Sequence, residues 1–111
     1  MISLKKLEVY GADIRSAMDK CQGDEAFYLH LVELFLKKND YLAIKRALNR
    51  NDLQRAYECA LNMKGVSGNL SLTPLYLLSS ELTRHLYKRE NIDYAPYVNR
   101  IFKHLKNLKE L

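Results

Sequence analysis

The sequence predicts an all-α protein, built as an up-down-up-down four-helix bundle with one or two short N-terminal helices. Three observations lead there. Apolar residues recur at helical spacing along most of the chain, no stretch alternates apolar and polar as a strand would, and only Pro74 and Pro96 stand as rigid breakers. Short connections between long amphipathic segments favour antiparallel neighbours, which gives the bundle.

Gly11 and Asp13 open a short segment that runs to Cys21. Asp24 is the expected N-cap of a long helix whose stripe Phe27, Leu31, Leu34 and Phe35 recurs at i, i+4, i+7 and i+8. Asn39-Asp40 bends that helix or restarts it before Tyr41 to Leu48. Asn51 or Asp52 caps a helix that carries Leu53, Ala56, Ala60, Met63 and Ser67 at helical spacing. Thr73, followed by Pro74 at the first helical position, starts the helix of Leu75, Leu78, Leu82 and Leu86. Asp93 or Tyr94 opens the last helix, where Tyr94, Tyr97 or Val98, Ile101, Leu105 and Leu108 form a heptad-like seam. All these stripes read as core.

Composition narrows the function. A chain of 111 residues fits one domain, residues 1–111, and can bury a core without staples. Its 48% apolar content argues against disorder. Cys21 and Cys59 have no C-x-x-C spacing and read as buried thiols of a reducing compartment. No window approaches the ~20 apolar residues of a membrane span, and Met1 to Leu7 has no cleavable-signal pattern. The expectation is a soluble, cytoplasmic protein with no membrane partner, and Met1 with the lack of a linker favours a small free-standing chain. The net charge of +5 raises nucleic acid as a partner. Yet Lys5-Lys6, Lys37-Lys38, Lys45-Arg46, Lys88-Arg89 and Lys103, Lys106 and Lys109 fall on different segments, which reads as solvated faces with no nucleic-acid partner.

The most specific feature is Asn62-Met-Lys-Gly-Val-Ser-Gly-Asn-Leu70, where Gly65 and Gly68 interrupt an otherwise helical pattern. Glycine costs about 1 kcal/mol against alanine in a helix interior, so two of them there usually serve close approach. With its lead-in, Ala60-Leu-Asn-Met-Lys-Gly-Val-Ser-Gly-Asn-Leu70 resembles the signature of the histidine-containing phosphotransfer (HPt) domains of bacterial two-component relays, Ala-His-x-Leu-Lys-Gly-x-Ser-Gly-Asn-Leu-Gly. The resemblance covers most of the chain. Gly11-Ala-Asp13, Gly23-Asp-Glu25 before the long apolar helix, and Asn51-Asp-Leu53 in place of the family's Gly-Asp-Leu all match its pattern, while Ser71 replaces the closing glycine. The phospho-acceptor histidine should stand at position 61, and this chain has Leu61 there.

That departure governs the chemistry the resemblance implies. An HPt histidine lends a nitrogen lone pair to a phosphoryl group, and leucine has none. The resemblance therefore implies the family's fold and partner class without its reaction: a module that binds a response-regulator receiver domain or a sensor kinase as decoy, scaffold or attenuator, neither an enzyme nor a cofactor or metal binder, monomeric or weakly dimeric. Successive helical residues turn by roughly 100°, so Leu61 lies about 130° from the core stripe. The expected docking face is Tyr57, Leu61, Lys64, Gly65 and Gly68, with Ser67 turned toward the core and bonded locally.

The three histidines offer alternatives. His30 reads as a boundary residue of the long helix. His104 sits near a helix C-terminus, where a partly positive imidazole suits the dipole. His85 falls within about one helical turn of the residue opposite Leu61 across the hairpin, which makes it the candidate for a relocated acceptor. No two histidines share an i, i+4 spacing, and no zinc site is expected. A third reading keeps the bundle but drops the relay, as a helical adaptor or homodimer that uses the Leu61 face for another protein.

Overall fold

The computed structural model describes residues 2–38 and 40–111, with the side chain of Asp40 set aside. Among the described residues the chain is all-helical, without strands: α1 (Leu4–Tyr10), α2 (Ile14–Lys20), α3 (Glu25–Lys37), α4 (Asp40–Asn49), α5 (Leu53–Asn69), α6 (Thr73–Tyr87) and α7 (Ala95–Lys109). Asn39, where the sequence suggested a bend or a restart, lies outside the described residues. Among the described residues, four helices start on an N-cap residue whose short polar side chain accepts a backbone N–H. Ser3 serves Lys6, Asp13 serves Ser16, Asp24 serves Phe27 and Asp52 serves Arg55, at 3.0 to 3.2 Å. Each such cap contributes about 1 kcal/mol. Helix α6 differs from the sequence expectation: Leu72 holds the cap position, Thr73 is already helical, and no side chain caps it.

The turns between helices need left-handed backbone. Gly11 (φ +119°) ends α1 and Gly23 (φ +78°) precedes α3. Gln22 (φ +55°), Asn51 (φ +54°), Ser71 (φ +57°) and Arg89 (φ +53°) share that region, so among the described residues four side chains occupy a conformation that favours glycine, with Asn51 before α5 and Ser71 after it. Gly11 has a second constraint, because a Cβ there would stand 2.8 Å from the Pro74 ring. This contact seats the end of α1 on the start of α6.

Consecutive helices from α4 to α7 pack against one another, and α7 also lies against α4 and α3. The buried interior runs through them, with Ile44, Ala56, Met63, Leu75, Leu82, Leu86, Ile101 and Leu108 almost fully enclosed. Helix α3 keeps part of the expected stripe inward, with Phe35 buried and Leu31 half-buried, but it is turned so that Tyr28, Val32 and Leu36 take the place of Phe27 and Leu34. Tyr28, Val32, Phe35 and Leu36 are buried, whereas Phe27 and Leu34 are 49% and 43% exposed. Two apolar stripes one residue apart share this helix, so periodicity alone could not choose between them. The Tyr28 hydroxyl decides it by donating to the Leu70 carbonyl at 2.7 Å, and burial pushes that phenol up to about 12.

His104 also departs from expectation. Its Nδ1 is hydrogen-bonded to the Tyr10 hydroxyl at 2.9 Å, joining α1 to α7, and burial holds the imidazole below its ordinary pKa, so the neutral ring is favoured over the dipole-stabilised cation. Because folding lowers this pKa, the unfolded chain binds the extra proton as pH falls below about 6.5. The melting temperature should therefore drop between pH 7 and pH 5, and part of the drop should vanish in His104→Gln. Thermal melts across that range, followed by circular dichroism, check this.

Candidate functional site

Helix α5 buries Ala56, Cys59, Ala60, Met63 and Ser67, which leaves Leu61 and Gly65 on its outer side. Leu61 is 43% exposed. Ser67 is buried, and its hydroxyl donates to the Met63 carbonyl at 2.7 Å and to the Lys64 carbonyl at 3.2 Å, the local bond expected of it. A Cβ built on Gly65 meets nothing within 4 Å, so this glycine fills no gap in its own fold. Its position keeps the helix backbone open to whatever approaches from outside.

Gly68 behaves differently. A Cβ there would stand 2.9 Å from the Tyr76 ring, so the close approach that this glycine permits is made by the chain's own α6. Close approach by a partner was the expectation for both glycines, and it fits Gly65 alone. Gly68→Val should cost about 1–3 kcal/mol by forcing Tyr76 aside, read as a lower denaturation midpoint, whereas Gly65→Ala should gain about 1 kcal/mol from helix propensity.

Leu61, Lys64, Gly65 and Gly68 line one cleft of about 460 Å³, completed by Asp13, Ser16 and Lys20 from the second helix region and by Thr73 and Tyr76 from α6. Lys20 was not singled out in the sequence. Its Nζ donates to the Gly68 carbonyl at 3.0 Å and to Ser71 Oγ at 3.4 Å, which stabilises the C-terminal end of α5 and adds a second cation beside Lys64. Only the fold could bring it there, since nearly 50 residues separate it from the motif and no local periodicity links them. The cleft thus combines an exposed leucine, an open glycine and two lysines.

Tyr57 lies outside this lining. Its ring meets that of Tyr87 at 5.8 Å, with the Arg89 guanidinium 5.9 Å above it. Tyr57 stands one turn before Leu61 on the same helix, so it extends the exposed strip while being held by α6.

His85 stands apart from the cleft, with both ring nitrogens engaged. Nδ1 meets Glu90 Oε2 at 2.5 Å, and Nε2 meets the Tyr97 hydroxyl at 3.0 Å. With Nδ1–H donating to the carboxylate and Nε2 accepting from the phenol, the ring's one available lone pair is engaged and does not point to solvent. His30 is exposed on α3. Among the described residues no three His, Cys, Asp or Glu side chains gather as a metal site would require, and no helix is long and apolar enough to cross a membrane.

Comparisons of this chain with protein-family models, curated proteins and solved structures return no match.

Proposed function

We propose that this protein is a degenerate HPt-like module of a two-component phosphorelay, which binds a response-regulator receiver domain or sensor kinase through the α5 cleft and accepts no phosphate. The observation that carries the reading is the outer face of α5, where Leu61 occupies the acceptor position between Lys64 and an unobstructed Gly65. A leucine there presents an apolar contact in place of a nucleophile, and the lysines favour an acidic partner surface.

Two further features support the family reading. The ring of neighbours α4, α5, α6 and α7 suits an up-down-up-down four-helix bundle, although three helices precede it, α1, α2 and the 13-residue α3, where one or two short ones were expected. The left-handed residues Asn51 and Ser71 also fall where the family pattern has glycine, the residue that conformation favours. On this reading the protein works in the cytoplasm as decoy, scaffold or attenuator rather than as an enzyme. The relocated acceptor has less support, because Glu90 and Tyr97 occupy both nitrogens of His85.

The test has two arms. A panel of receiver domains is titrated against the protein by calorimetry, and at least one should bind. Each is then phosphorylated and mixed with wild type, Leu61→His and His85→Ala. Wild type should acquire no acid-labile phosphate, while Leu61→His should acquire it, its imidazole forming a P–N bond as the aspartyl carboxylate leaves. Label on wild type that disappears in His85→Ala would overturn the inactivity and favour the relocated acceptor. No binding across the panel would favour the adaptor reading.

A further inference from the structure

Lysines that lie far apart in the sequence meet where α3, α4 and α7 come together. Sequence separation suggested dispersed, solvated charges, but Lys37 and Lys38 close α3 while Lys106 and Lys109 close α7, and these helices pack against each other. A hollow of about 340 Å³ lies between α4 and α7, walled by Tyr41, Leu42, Phe102 and Leu105 together with Lys38, Lys106 and Lys109. The Tyr41 and Phe102 rings stack with centroids 4.9 Å apart, yet Phe102 remains 46% exposed and Leu42 38%. Among the described residues none of these three lysines has an ion-pair partner, and Glu110 is the only carboxylate in the lining. Among the described residues, then, the hollow is open and sets three lysines against one carboxylate, and it shares no residue with the α5 cleft.

We propose that this hollow docks an acidic amphipathic segment of a partner protein, with apolar side chains seated on Tyr41, Leu42 and Phe102 and carboxylates facing Lys38, Lys106 and Lys109. Charge complementarity selects that occupant. A second copy paired about a two-fold axis would set these lysines against their own copies. A bilayer surface fits less well, because the apolar groups line a concavity and Leu105 is only 8% exposed, so they do not project into acyl chains. Since the two surfaces are separate, the protein would hold an acidic segment and its α5 partner at once.

The probe is a fluorescein-labelled synthetic helix of alternating Leu and Glu pairs, titrated with the full chain by anisotropy, beside vesicles of phosphatidylserine and phosphatidylcholine. The peptide should bind wild type, and raising the salt to about 0.5 M should weaken it. The double variant Lys106→Glu, Lys109→Glu should weaken binding at least about tenfold, as should Phe102→Ala, while Gly65→Arg should bind the peptide as wild type does. The lysine variant leaves the core untouched, so it decides the matter even if Phe102→Ala folds poorly. Absence of peptide binding to wild type, or equal binding by the lysine variant, would overturn the proposal. So would binding to the vesicles without binding to the peptide, which would assign the surface to anionic lipid. Loss of receiver binding in the panel above would leave this result standing, because the two tests use different surfaces.

Discussion

Gly65→Arg is expected to abolish binding of a receiver domain while the fold becomes no less stable. A Cβ at this position has nothing within 4 Å, so the arginine side chain extends into the open space that the proposed docking would fill. The substitution also removes a helix-interior glycine, worth about 1 kcal/mol of stability. Loss of binding together with a maintained or raised melting temperature separates a blocked surface from an unfolded protein. Leu61→Asp should weaken binding by a different route. Leu61 is already 43% exposed, so a carboxylate there costs little in the isolated protein, but it loses solvation when a partner covers it. Titration calorimetry of both variants against the natural partner checks these outcomes. Binding by both at wild-type strength would remove the α5 face from the function.

The largest loss of stability should come from Tyr28. Its ring is 1% exposed, and its hydroxyl reaches 42 residues along the chain to the Leu70 carbonyl at the end of α5. Tyr28→Ala should cost about 3–5 kcal/mol by opening a cavity beside the end of α5. Tyr28→Phe keeps the ring and removes only the donor, leaving a buried carbonyl unpaired at about 1–3 kcal/mol. Urea unfolding of the pair distinguishes the two contributions. If Tyr28→Phe matched wild type, the hydroxyl would have no part in seating α3, and the choice of its buried face would rest on packing alone.

The turn after α5 shows how the motif and the backbone are related. Ser71 holds φ +57° and lies buried, where its hydroxyl donates to Ser16 Oγ at 3.2 Å and its carbonyl accepts the Asp13 N–H at 2.9 Å. A serine in a left-handed conformation carries a backbone cost of about 1–2 kcal/mol, which these contacts to the second helix region offset. The strain of a side chain at this position is therefore compensated within the fold.

What the sequence determined by itself was local. The all-helical class, the caps at Asp24 and Asp52, and the inward faces of α5, α6 and α7 follow from short-range hydrogen bonding and a 3.6-residue period, both of which act within a few residues. The exposure of Leu61 and Gly65 was legible for the same reason, because placing α5's core stripe also places its outer side. The tertiary structure decided the rest. It chose Tyr28 over Phe27 on α3, laid Tyr76 on Gly68, brought Lys20 beside Lys64, engaged both nitrogens of His85 and gathered dispersed lysines around Phe102. Apart from the His85–Glu90 pair, these contacts join separate helices, and periodicity along one helix cannot specify which neighbour packs against it or at what rotation.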